Sequence, residues 1–73
     1  MAQDTTQLAA TIGQRIRRLR LERDMTQKEL ADLIPIRERY ISDWERGMLL
    51  PNVRRLGPLC NALGVSVDYL ISG

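Results

Sequence analysis

Guanidinium and carboxylate groups supply nearly all the chemistry in this 73-residue chain. Lys and Arg total 11, Asp and Glu 9, and there is no histidine. Without histidine, the usual zinc sets and any histidine-dependent catalytic triad fall away. The single cysteine, Cys60, cannot close an internal disulfide. With no histidine to activate it, it reads as a small core residue rather than a nucleophile. No Gly-rich phosphate loop occurs. The expectation is therefore no catalysis, no cofactor, no metal and no small-molecule ligand. Arginine remains able to hold anions, and charge is spread unevenly. Residues 1–25 carry Arg15, Arg17, Arg18, Arg20 and Arg23 against Asp4, Glu22 and Asp24, a net +2. Residues 26–47 carry Lys28, Arg37, Arg39 and Arg46 against Glu29, Asp32, Glu38, Asp43 and Glu45, a net −1. A total of +2 is no polybasic tail. Any nucleic-acid binding must rest on individually placed arginines rather than on bulk charge.

The elements that must position these groups are helical. Hydrophobic residues are 44% and charged residues 27%, the composition of a globular chain. This length implies one domain, residues 1–73, and an all-α fold of five helices around one small core. No apolar run approaches the roughly 20 residues needed to cross a membrane, and the N-terminus lacks the pattern of a signal peptide. A reducing, cytoplasmic location is expected.

Leu8, Ile12, Ile16 and Leu19 recur at the helical period and predict a first helix from about Thr6 to Arg23, capped by Asp4 or Thr5. Gly13 lies inside it, where glycine costs about 1 kcal/mol relative to alanine, so a close packing contact is expected there. Thr26-Gln27-Lys28-Glu29 forms a capping box that opens a second, short helix. Leu30, Ala31 and either Leu33 or Ile34 line its inner side, and Pro35 stops it. A third helix runs from about Arg37 to Arg46, with Ile41 and Trp44 inward and Gly47 at its end. Asn52 caps a fourth that reaches Leu63, with Pro58 expected to bend it. Ser66 caps a short last helix containing Val67, Tyr69, Leu70 and Ile71.

Two short helices joined by a tight turn, the second amphipathic, form a helix-turn-helix signature at about residues 26–46. The first such helix crosses the DNA backbone and the second enters the major groove, which at about 12 Å admits one helix. At this point the chain resembles a known family. Thr26-Gln27, Leu30-Ala31, Ile36, Ile41-Ser42, Trp44-Glu45, Gly47, Pro51, Leu59 and Leu63-Gly64-Val65-Ser66 with Asp68-Tyr69-Leu70 follow the order of the phage repressor and Cro family, also called XRE-type. The resemblance covers about residues 12–72 without a gap.

The resemblance implies a compact, lambda-repressor-like five-helix domain that binds double-stranded operator DNA as a homodimer and regulates transcription. By position it implies that Arg37, Glu38, Arg39 and Asp43 read bases from the recognition helix, about residues 37–46. It places Gln27 and Arg46 at phosphates, with Tyr40 able either to touch a phosphate or to pack. It makes Arg20 and Glu45 a structural ion pair. Arginine pairs bidentately with guanine O6 and N7, and a carboxylate accepts from cytosine N4, so this residue set suggests a G/C-containing half-site. A dimer would span two half-sites of a pseudo-palindrome, ~34–36 Å apart. Met48, Leu49 and Leu50, where relatives are often basic, are candidate dimer contacts, with the last helix beside them.

Two other positions depart from the family. Pro35 stands where relatives usually have glycine, often at positive φ, so the turn must differ, and with it the angle of the recognition helix. Arg37 replaces the usual Ser or Thr cap. Small members of the family include Cro-like repressors, restriction–modification controllers and antitoxins. No ligand-sensing or second oligomerising segment is read within residues 1–73, so the expectation is a small stand-alone regulator, with a fragment of a longer chain as the alternative. The alternative reading is an antitoxin or protein-interaction module that uses the apolar 48–51 loop.

Overall fold

The amphipathic period places Ile12, Ile16 and Leu19 on one face of α1, Thr5–Glu22, and all three are buried. The computed structural model describes residues 5–73, with side chains from residue 7 onward. Of the two caps expected for α1, Asp4 lies outside the described residues and Thr5 already belongs to the helix. Then come α2 (Gln27–Leu33), α3 (Glu38–Glu45), α4 (Val53–Leu63) and α5 (Val67–Ser72), with no strand among the described residues.

The caps follow from the local sequence. The Glu29 amide donates to Thr26 Oγ1 at 3.0 Å, and the Thr26 amide donates to Glu29 Oε1 at 2.8 Å. Asn52 and Ser66 accept from the amides three residues on, at 3.1 and 3.0 Å. Each satisfies a helix-end amide that would otherwise have only water. Arg37 caps α3 with no side-chain hydrogen bond.

All five helices meet in one cluster. Ile12, Ile16, Leu19, Leu30, Ala31, Ile34, Ile41, Trp44, Leu59, Cys60, Leu63 and Leu70 fill it. Ile34, not Leu33, is the inward residue at the end of α2; Leu33 is exposed. Burial pushes the Cys60 thiol above its ordinary pKa, which keeps it protonated and unreactive. Helix α4 continues through Pro58, which removes the amide that would bond the Arg54 carbonyl. Leu59, Cys60 and Leu63 of α4 are buried, whereas Val53 at its start is 89% exposed.

Four helices end with the same closure. Met25, Ile36, Met48 and Val65 donate their amides to the carbonyls of Arg20, Ala31, Asp43 and Cys60, five residues back, at 3.1, 2.9, 2.9 and 3.0 Å. In three of them the residue before the donor is left-handed: Asp24 (φ 53°), Gly47 (φ 73°) and Gly64 (φ 72°). In the α2–α3 turn that residue is Pro35, which is not among the residues of positive φ. The turn therefore departs from the glycine form, as expected, but keeps the bond that closes it. Asp24 is the one non-glycine residue at positive φ among those described. Asp24→Gly is expected to relieve a left-handed strain of about 1–2 kcal/mol, offset in part by the larger chain entropy of glycine. Urea unfolding should show a net gain of about 0.5–1 kcal/mol.

Candidate nucleic-acid interface

Helix α3 packs its inner side, Ile41 and Trp44, against α1 and α2 and leaves the other side to solvent. Residues 38, 39, 42, 43 and 46 share that outer face because helical neighbours lie three or four apart. Glu38, Arg39 and Arg46 are exposed, while Ser42 and Asp43 are half-buried. With Gln27 from the start of α2 they line one open concavity. A second, lined by Arg37, Arg39, Tyr40, Asp43 and Leu49, adjoins it through the shared Arg39 and Asp43. The α2–α3 turn thus brings all seven residues expected at DNA to one surface. Ser42 belongs there too; its spacing of four from Glu38 and three from Arg39 would have found it.

Four of these residues, Arg46, Asp43, Gln27 and Tyr40, already have partners in the free protein. Arg46 Nη2 lies 2.9 Å from Asp43 Oδ1. Gln27 Nε2 donates to Glu45 Oε1 at 3.1 Å. Tyr40 is half-buried against the core, and the Arg55 guanidinium sits over its ring, 4.2 Å from the centroid. No sequence pattern signals that cation–π contact, because Arg55 comes from α4.

Behind this face, Arg20 and Glu45 meet. Arg20 Nε donates to Glu45 Oε2 at 2.6 Å, and Nη2 donates to Oε1 at 3.0 Å. Arg20 Nη1 also donates to the Met25 carbonyl at 2.8 Å. The two side chains are only 10% and 4% exposed. The Glu45 hydrogen bond raises the Arg20 pKa above its ordinary value, with burial opposing. One guanidinium thus ties α1, the turn after it and the end of α3.

Other arginines of α1 serve the fold. Arg15 Nη1 donates to the Leu70 and Ile71 carbonyls at 3.0 and 2.7 Å, satisfying the end of α5. Arg18 donates to Tyr69 Oη at 2.9 Å. The apolar loop divides. Met48 and Leu49 are exposed, 67% and 47%, and Val53 joins them as a large exposed apolar residue. Leu50 packs against the core.

The profile of the helix-turn-helix family matches residues 16–70. The chain belongs to that family, in its repressor-like, XRE-type branch. Multiprotein-bridging factor 1 of Candida glabrata is 42% identical over 60 residues, 82% of this chain and 40% of the relative. The immunity repressor protein of Bacillus phage phi105 is 36% identical over 61 residues, 84% of this chain and 42% of the relative. This chain therefore spans about two fifths of the length of these curated relatives. The crystal structure of the P22 c2 repressor with a synthetic operator superposes with a TM-score of 0.82 at 37% identity, covering 85% of this chain and 94% of that one. That agreement limits the effect of Pro35: the turn changes locally while the arrangement of the helices is retained.

Proposed function

We propose that residues 1–73 form a single helix-turn-helix domain that binds operator DNA sequence-specifically, as a cytoplasmic homodimer, and regulates transcription. The observation that carries this reading is the outer face of α3. Arg39, Glu38, Asp43 and Arg46 stand there beside Gln27, on a helix held from behind by a buried ion pair. In this reading α3 lies in the major groove, with Arg37, Arg39, Glu38 and Asp43 toward base edges. Gln27, Arg46 and Tyr40 contact the backbone. The P22 relative, whose structure includes an operator, supports it. The exposed Met48 and Leu49 supply the apolar part of a two-fold contact, with Leu50 bracing them from the core.

Selection from a random duplex library at about 150 mM salt tests the proposal. An inverted repeat is expected, with G/C pairs in each half-site. On that operator, Arg39→Ala should relax preference at one base pair by about 1–3 kcal/mol. A uniform loss across all sequences would make Arg39 a phosphate contact instead.

The exposed Met48, Leu49 and Val53 also favour a second reading, an antitoxin-like module that holds another protein. Salt separates the two. A DNA complex with six or more phosphate contacts should weaken by about 10³-fold or more between roughly 50 and 200 mM salt. An apolar protein contact should barely respond.

A further inference from the structure

We propose that Asp43 controls where Arg46 is spent: its carboxylate holds the Arg46 guanidinium away from phosphate until a matching base pair draws the carboxylate away. The proposal rests on the DNA-binding reading above and adds to it a way of telling operator from other DNA.

The pair is short, 2.9 Å, yet it is poorly placed to stabilise the fold. Arg46, the residue that caps the end of α3, is 65% exposed, and Asp43, three residues back, is 18% exposed. A bridge between such near neighbours with one partner largely in solvent contributes little to stability. Its placement is more telling. Asp43 lines both concavities of the outer α3 face, and Arg46 lines the one that includes Gln27. Among the described residues, no other side chain bonds to the Asp43 carboxylate, and Arg46 has no other acid. A guanidinium meets a carboxylate oxygen and a phosphate oxygen with the same charge-assisted N–H donors. The Asp43 oxygen therefore fills the place that a phosphate oxygen would take.

The exchange has different consequences on different DNA. On a non-operator duplex, moving Arg46 to phosphate leaves the Asp43 carboxylate unpaired among phosphates of like charge. Arg46 then stays on Asp43, and one backbone contact is not made. On an operator with cytosine in register, the N4 amino group donates to the freed carboxylate. Arg46 is released to the backbone and both contacts form together. Asp43 thus acts through Arg46 as a positioning residue. It disfavours the wrong complex more than it strengthens the right one.

The test compares wild type, D43N, R46Q and the double variant on a non-operator duplex by fluorescence anisotropy, over a salt titration. Thermal melts of all four should nearly coincide, because Arg46 is largely exposed and the bridge joins residues only three apart. D43N is expected to tighten non-operator binding about three- to tenfold at roughly 0.1 M salt. It should also steepen the salt slope by about one, the signature of one added phosphate contact. In the R46Q background the same change should alter neither quantity, which places the coupling in the pair. A D43N effect that persists undiminished beside R46Q would overturn the proposal, since Asp43 would then act by its own charge. An unchanged affinity and slope for D43N alone would overturn it too. If none of the four folded proteins bound either non-operator DNA or the library-selected duplexes, the DNA-binding reading would itself fall, and this inference with it.

Discussion

Glu45→Ala is expected to lower unfolding stability by about 3–5 kcal/mol, the cost of leaving a buried charge without its partner. The carboxylate removed is 4% exposed and accepts two hydrogen bonds from Arg20 and one from Gln27. In the variant, the Arg20 guanidinium keeps only the Met25 carbonyl. A chain of 73 residues has roughly 4–11 kcal/mol in total at ordinary stability per residue. The loss is therefore a large part of the whole, and the melting temperature should fall by roughly 12–40 °C. Urea unfolding of the variant, at low and at high salt, measures it. Because the pair is buried, raising the salt should recover little of the loss. The double variant Arg20→Met with Glu45→Leu should recover most of it, because apolar residues of similar volume leave no charge uncompensated. If Glu45→Ala alone cost under about 1 kcal/mol, the pair would be behaving as a surface bridge.

Local chemistry made much of this fold legible. The capping box at Thr26–Glu29 and the caps Asn52 and Ser66 each join residues three apart, so the sequence displays them directly. The apolar period of α1 and the inward phase of Trp44 are likewise properties of one helix. Legibility failed where contacts join distant segments. Arg15 lies 55 residues from Leu70, and nothing near either predicts that one satisfies the other. The Arg20–Glu45 pair, 25 residues apart, was accessible only through family resemblance. The choice between Leu33 and Ile34 was open because α2 is only 7 residues long, too short to define a phase. Asp43 and Arg46 are a different case. Their spacing of three is visible in the sequence, but spacing alone does not distinguish an ion pair from two side chains that reach DNA separately.

The sequence also anticipated a close contact at Gly13, and the geometry there leads to the second large effect. Gly13→Ala is expected to destabilise the protein by about 2–3 kcal/mol, although alanine is the better helix former by about 1 kcal/mol. A Cβ at this position would overlap the Trp44 carbonyl oxygen, and would stand 3.0 Å from the Glu45 carbonyl oxygen. Both obstacles are backbone atoms, so no rotamer change can make room. Helix α1 would have to move away from α3, taking Arg20 with it. The same gap that admits the methyl group would stretch the buried ion pair about two turns further along α1. Gly13 and Arg20 are thus two supports of one wall behind α3, and damage at either should reach its outer face. At a temperature where the variant remains folded, Gly13→Ala should weaken operator binding while leaving every outer-face residue in place. Gly13→Ala and Glu45→Ala should also be non-additive, because each loosens the same α1–α3 contact. Full additivity in unfolding free energy would show that the two supports are independent.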